Sequence, residues 1–341
     1  MSGRVYLDWN ATAPLRPEAR AAMIAAMDLA GNPSSVHAEG RAAKMLVERA
    51  REAVAAAVGC RAAEVVFTSG ATEAAGVLAG FAEVEVDPTA HDCVLAHASG
   101  GTRRGAGGIR ALGLANGETG VLSNTPPGGA VFLDVVQAIG RVPFAFGWSG
   151  ADFACLSAHK LGGPKGVGAL IVRAGVEIAS LRPGGGQEMG RRSGTENVAA
   201  IAGFGAAITA AGKDLEAGVW DRVRGLRDGL EARLLAAAPG SVIAGADGPR
   251  LPNTTCIVTP GWRGETQVMQ MDLAGFAVSA GSACSSGKVR ASRVLKAMGF
   301  DEVAAGSAIR VSLGPTTTEE EVWRFADAWS EQHARFRARA A

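Results

Sequence analysis

Apolar residues along this chain recur with two distinct periods. Pro17 to Met27 reads as a short helix, and from Ala38 to Val58 apolar residues return every three or four positions, the spacing that lays one apolar stripe along a helix. Pro17 suits a first helical turn, and Gly31 lies just beyond the first helix. In the second helix Met45, Leu46, Ala50, Val54 and Val58 mark the stripe, and Gly59 is placed to stop it. Other segments are short unbroken apolar runs bounded by turn residues. EVVF at 64–67, AVFL ending before Asp134, DFACLS ending at Ser157 and GALIVR at 168–173 predict buried strands. DCVLAH, residues 92–97, reads as one more strand. After Thr68-Ser69-Gly70 the run ATEAAGVLAGFA restarts as helix. Strands alternating with helices predict an α/β sheet, largely parallel, with its chemistry at the carboxyl ends of the strands.

The grammar changes in the second half. Residues 213–238 predict one long helix linking two domains. Short strands follow (SVIAG, TTCIVT, FAVSAG, AIRVSL), then a helix from about Thr318, which together make an α+β pattern. The expectation is a large domain over residues 15–215 and a smaller α+β domain built from 1–14 and 216–341. Ser99 to Gly108 (SGGTRRGAGG) is the most loop-like stretch of the first half.

Composition narrows the classes. A chain of 341 residues is long for one compact core, which agrees with two domains. Lys plus Arg total 34 against 33 for Asp plus Glu, so no electrostatic argument favours nucleic acid or an anionic membrane as partner. No apolar run approaches the roughly 18 residues of a membrane span. The segment MSGRVYLDWNATAPL lacks a signal peptide's apolar core, so the expected location is the cytoplasm. Five scattered cysteines with no CxxC pair predict neither a disulfide framework nor a metal site. Cys60, Cys93, Cys155 and Cys256 sit in apolar surroundings and read as small buried residues. Cys284, in SAGSACSSGKVR, reads as a thiol on an exposed loop.

Three strand ends carry candidate chemistry. Lys160 follows a buried strand in SAHKLGGPKG; burial there would lower its pKa, as an amine needs to form a Schiff base, although such a lysine can also snorkel to solvent. Asp134 could keep the ring nitrogen of a pyridoxal cofactor protonated, with Gln137 donating to the phenolic oxygen; Asp134 could equally be a helix cap. Ala71 and Thr72, in SGATE at a strand-to-helix turn, offer backbone N–H groups and a hydroxyl to a phosphate, but such turns also occur without a ligand.

Taken together with YLDWNATAPL, GNPSSVHAEGR, RRSGTEN, AVSAGSACSS and AIRVSLG, in that order and over nearly the whole chain, these motifs resemble the cysteine desulfurases. That is the aminotransferase class V branch of the fold-type I pyridoxal-phosphate enzymes. The resemblance implies a large domain with a mainly parallel sheet of the seven-stranded type, a smaller α+β C-terminal domain, and pyridoxal 5'-phosphate as cofactor. It implies that Lys160 holds the cofactor and moves the substrate's α-proton, that Asp134 and Gln137 face the ring, and that Ala71, Thr72, Ser157 and His159 lie at the phosphate. Thr195 would complete the phosphate site of the other subunit of a homodimer. Arg310 would clamp the substrate carboxylate, with Asn116 near it. Cys284 would take sulfur from L-cysteine as a persulfide, release L-alanine, and hand the sulfur to an acceptor protein, as in iron–sulfur cluster assembly.

Two departures from the family pattern stand out. The family's ring-stacking histidine follows a strand; counting from DCVLAH puts the position near Ser99 or Gly100, and His97 is the nearby histidine. Between Gly100 and the Asn116-Gly117-Glu118-Thr119-Gly120 run the chain is short by a strand–helix unit, and Gly117 stands where the family has Asn. Alternatives to an active desulfurase are a degenerate relative serving as partner or scaffold, and a related selenocysteine lyase or aminotransferase.

Overall fold

A computed structural model describes residues 3–98, 107–281 and 291–340. The chain divides into two units: a large one, Thr12–Ala115 with Ser123–Glu216, and a small one, Met1–Ala11 with Asn116–Leu122 and Ala217–Ala341.

The large unit is built on one sheet of six strands. Their spatial order is Val65–Thr68, Gly168–Val172, Phe153–Ser157, Ala130–Asp134, Gly108–Gly113 and Glu83–Val86. The last four pair in parallel, whereas Gly168–Val172 runs antiparallel to both its neighbours. Among the described residues this is one strand fewer than the seven-stranded type, as expected of a chain short by one unit before Asn116. Successive side chains point to opposite faces, and both faces are covered. Val65, Phe67, Leu133 and Leu156 pack under the helices Ala38–Val58 and Val198–Glu216, while Val66, Phe132 and Cys155 face the other layer.

Several elements correct the sequence expectation. Residues 92–97 are no strand: Asp92–Leu95 forms a helical turn, and the strand lies earlier, at Glu83–Val86. The buried stripe of Ala38–Val58 runs through Ala43, Val47, Ala50, Val54 and Val58, with Met45 exposed. After Gly70 only Ala71–Ala74 is α-helical, and the chain continues as a 3-10 helix to Gly80. The single long helix over 213–238 is two helices, Val198–Glu216 and Val219–Ala237. Gly218, at φ 68°, turns the chain between them in a conformation that costs other residues free energy. Val198–Glu216 is also long and apolar enough to cross a membrane, which the run lengths did not bring out; its buried residues, Phe204 and Ile208 among them, belong to the core of the large unit.

In the small unit Ser279–Ala280, Ala308–Ser312, Thr254–Val258 and Val242–Ile243 form an antiparallel sheet in that order. Val5–Tyr6 pairs in parallel with Phe276–Ala277. The helix Glu319–Ala340 opens on a capping box: Thr318 Oγ1 accepts from Glu321 N (3.2 Å) while Glu321 accepts from Thr318 N (2.8 Å). A single boundary near residue 215 misses one excursion. Residues 116–122 join the small unit because Gly117 O accepts from Asn10 Nδ2 (3.1 Å) and Gly120 O from Leu251 N (2.7 Å).

Candidate active site

The parallel strands of the large unit deliver polar side chains to one edge of its sheet. Asp134 ends its strand buried, and its Oδ1 accepts from Val136 N at 2.9 Å. The register sets Cys155 beside it on the neighbouring strand, and the Cys155 thiol hydrogen-bonds to its carboxylate. Burial pushes the Asp134 carboxyl up, while the charges of His91 and Lys160 pull the other way. Burial beside Asp134 also drives the Cys155 thiol well up, so it stays protonated as a donor. A buried carboxylate is suited to a cationic ring N–H.

Gln137 is buried as well. Its Oε1 accepts from Arg141 Nη1 (2.6 Å), and Arg141 Nη2 reaches Lys160 O (3.1 Å). This arginine, which the sequence reading did not single out, turns the Gln137 amide so that its NH₂ points elsewhere, and ties it to the lysine's backbone. Nothing in the local sequence marks Arg141; only the spacing of one helical turn from Gln137 could have suggested it.

Ser157 closes its strand in a buried position, and Ala158–Lys160 makes a 3-10 turn. Lys160 is half-buried on that turn. His159 Nδ1 lies 3.1 Å from Thr12 Oγ1, and His159 O accepts from Ala13 N at 2.8 Å. Burial, aided by the charges of Lys160 and Lys165, pushes His159 down to about 4, so the ring is neutral near pH 7. On the far side, Gly168 faces both Ser157 and Thr68. A Cβ on Gly168 would sit 2.4 Å from Leu156 O and 2.7 Å from Gly70 Cα, so only glycine lets the Ser69–Gly70 turn come this close. Ala71 and Thr72 follow that turn, Thr72 exposed and hydrogen-bonded to the Cys93 side chain.

The correction at residues 92–97 changes the histidine. His91, not His97, is the first histidine after the Glu83–Val86 strand, and it acts electrostatically on Asp134. It caps Asp92–Leu95: Nδ1 accepts from Cys93 N at 3.2 Å, with Cys93 Sγ at 3.1 Å. His97 lies past the other end of that turn, its N–H donating to Val94 O. Ser99 and Gly100 lie outside the described residues.

The remaining candidates separate. Thr195 is exposed on a glycine-rich segment of the large unit. In the small unit, Arg310 Nη2 donates to Asp8 Oδ1 (2.7 Å) and Nη1 to Gly117 O (3.0 Å). Asn116 Oδ1 is used inside its own turn, accepting from Glu118 N and Thr119 N at 2.9 Å each, and it is the Gly117 carbonyl that meets the arginine. Cys284 lies outside the described residues.

A family model described as aminotransferase class-V matches residues 5–99 and 120–325. The chain belongs to the aminotransferase class-V family. The break in this match brackets the shortened segment. Within the family the chain is 40% identical to a cysteine desulfurase of Cereibacter sphaeroides, over 94% of this chain and 93% of that one. That match runs over 366 positions, more than the 341 residues here, so the relative has stretches this chain lacks. A cysteine desulfurase of Frankia sp. (strain EuIK1) is also 40% identical, over 95% and 90%. Among solved structures, a NifS-like protein from Rickettsia africae ESF-5 superposes with TM-score 0.87 at 30% identity, over 97% and 99% of the two chains. The fold is that of the NifS-like pyridoxal-phosphate enzymes, and the cofactor of this class-V chain is pyridoxal 5'-phosphate. Asp134 as acceptor for a ring N–H, with the amide of Gln137 and the Thr72, Ser157 and His159 side chains as donors, suits such a group.

Proposed function

We propose that this protein is a pyridoxal-phosphate-dependent cysteine desulfurase, converting L-cysteine to L-alanine and leaving the sulfur as a persulfide. The observation that carries the reading is 40% identity to proteins of that name over more than nine-tenths of this chain. Bound in the large unit, the cofactor supplies an electron sink for the pair left at Cα when its proton departs.

The chain's own residues do the rest. Lys160 Nζ would hold the cofactor covalently and would move the Cα proton. Asp134 holds a proton on the ring nitrogen. Gln137, its carbonyl end occupied by Arg141, donates its NH₂ to the phenolic oxygen. Thr72, Ser157 and a neutral His159 donate to the phosphate alongside the backbone at Ala71. The stacking role falls to His91 rather than His97, because the strand that precedes it is Glu83–Val86. Arg310 binds the amino-acid carboxylate. The Cys284 thiolate attacks the sulfur of cysteine: an S–S bond forms, the C–S bond breaks, and the released carbon takes a proton to become alanine.

In the same reading the protein works in the cytoplasm as a homodimer in which Thr195 completes the phosphate site of the opposite protomer. It passes sulfur to an acceptor protein, iron–sulfur cluster assembly being the destination. The test is to add L-cysteine to purified holoenzyme and to assay sulfide and alanine together. Equal amounts, both lost in Cys284→Ala, establish the desulfurase. Bound cofactor without turnover would instead make this a partner protein, and a chain that binds no cofactor would sink the mechanism.

A further inference from the structure

We infer that Asp8, braced by Ser279, is a positioning residue that sets which edge of the Arg310 guanidinium meets an amino-acid carboxylate. The inference rests on the reading of Arg310 as the carboxylate clamp. Three distant segments make the arrangement. The strand Val5–Tyr6 pairs with Phe276–Ala277, and Asp8 just after it bridges Ser312. Ser279 lies opposite Arg310 in the antiparallel pairing. Asp8 thereby reaches both side chains: Oδ1 accepts from Arg310 Nη2 and Oδ2 from Ser279 Oγ, each at 2.7 Å.

Had Asp8 offered both oxygens to the arginine, the pair would be a closed two-point fork. Ser279 prevents that by occupying the second oxygen. Gly117 O takes Nη1 at 3.0 Å and is itself fixed by Asn10 Nδ2 at 3.1 Å. The guanidinium plane is therefore held at two nitrogens. The third, Arg310 Nε, is buried and has no hydrogen-bond acceptor among the described residues. A buried N–H without an acceptor is unfavourable until something supplies one. The edge carrying Nε is where a carboxylate would relieve that state, accepting from Nε and from the adjacent Nη.

Asp8 has two further effects. It neutralises a largely buried cation before any ligand arrives, the side chains of Arg310 and Asp8 being 13% and 17% exposed. It also orders a long side chain during folding, so that less conformational freedom is lost on binding. A competing carboxylate would act the other way and weaken the ligand. Asp8 is poorly placed for that role, since Ser279 and the bridge to Ser312 hold it in position and it leaves Nε without an acceptor among the described residues.

The test uses holoenzyme titrated with L-alanine, and with L-alaninamide, which lacks the carboxylate. Binding is followed by the change in cofactor absorbance, independently of turnover. Asp8→Asn should raise the Kd for L-alanine about 10-fold, as expected for losing a charge-assisted anchor, and leave that for L-alaninamide unchanged. Ser279→Ala should move it the same way by about 3-fold, as expected for one neutral hydrogen bond, and it decides the matter if Asp8→Asn does not fold. Unchanged or tighter L-alanine binding in these variants would overturn the assignment, as would equal weakening of acid and amide. Arg310→Gln separates the two claims. If it leaves L-alanine binding intact, the clamp reading itself fails, whatever Asp8→Asn does.

Discussion

The cofactor edge of the large unit and the arginine corner of the small unit are assembled on different principles. At the cofactor edge each functional side chain follows its own strand, so Asp134 with Gln137, and Ser157 with His159 and Lys160, occur as contiguous runs. At the corner, Asp8, Gly117, Ser279 and Arg310 come one at a time from four separate segments, 302 positions separating the two ends of the ion pair. Parallel strand ends concentrate chemistry into short motifs, whereas antiparallel and bridge pairing brings single residues together from anywhere in the chain.

The comparison can be broken at several points, beginning with the cofactor edge. Lys160→Ala should lower alanine release from L-cysteine by about 10³-fold or more, since in the proposed mechanism it removes both the attachment point and the proton carrier. A loss of only a few fold would show that the edge is not the reacting centre. His91→Ala should cost about 10²-fold in the same assay, the usual worth of a placed proton-transfer group, with His97→Ala nearly silent. The reverse ranking would restore the assignment that strand counting from residues 92–97 gives.

Glu188 accepts from Arg51 Nη1 (2.7 Å), Arg51 Nη2 (2.9 Å) and Phe67 N (2.8 Å), all buried. Glu188→Ala takes from Arg51 its buried carboxylate, leaving it Val65 O (2.9 Å) and the partly exposed Glu48 (3.2 Å), and should destabilise the protein by about 3 kcal/mol in denaturant unfolding. Most of this should persist in protein stripped of cofactor, because the pair serves the fold. If the destabilisation appears only in holoenzyme, Glu188 belongs to the cofactor edge instead.

The smallest effect is one of pH. His159 is depressed to about 4 in the folded chain, against an ordinary value of 6.5. Below pH 6.5 the unfolded chain therefore binds a proton the folded chain does not, and stability falls as the pH drops from 6.5 towards 4. His159→Gln should make that part of the stability profile shallower in cofactor-free protein, with little change above pH 7. A slope equally steep in the variant would assign the loss to other groups.

Local sequence carried much of the large unit. Pro17–Met27 starts where Pro17 puts it, Ala38–Val58 falls where the apolar period and Gly59 put it, and the strands ending at Asp134 and Ser157 stop where the run gives way to polar residues. Local reasoning failed at two kinds of place. DCVLAH has a strand's composition, yet His91 caps it as a helical turn, and a cap is a backbone contact that apolar pattern does not encode. Gly218 breaks an otherwise continuous helical period, and a lone glycine in such a period is ambiguous until its φ is known.

What the sequence determined by itself was the order of strands and helices, the class-V membership written in its motifs, and the identity of the residues that follow each strand. Those features depend on neighbours close along the chain. Only the tertiary structure decided that His91 acts on Asp134, that Arg141 orients Gln137, and that Asp8 and Gly117 hold Arg310 while its Nε has no acceptor among the described residues. Each of these is a hydrogen bond or a charge acting between side chains that pairing and packing bring together, and the strength of such an interaction depends on distance and burial in space rather than on separation in sequence.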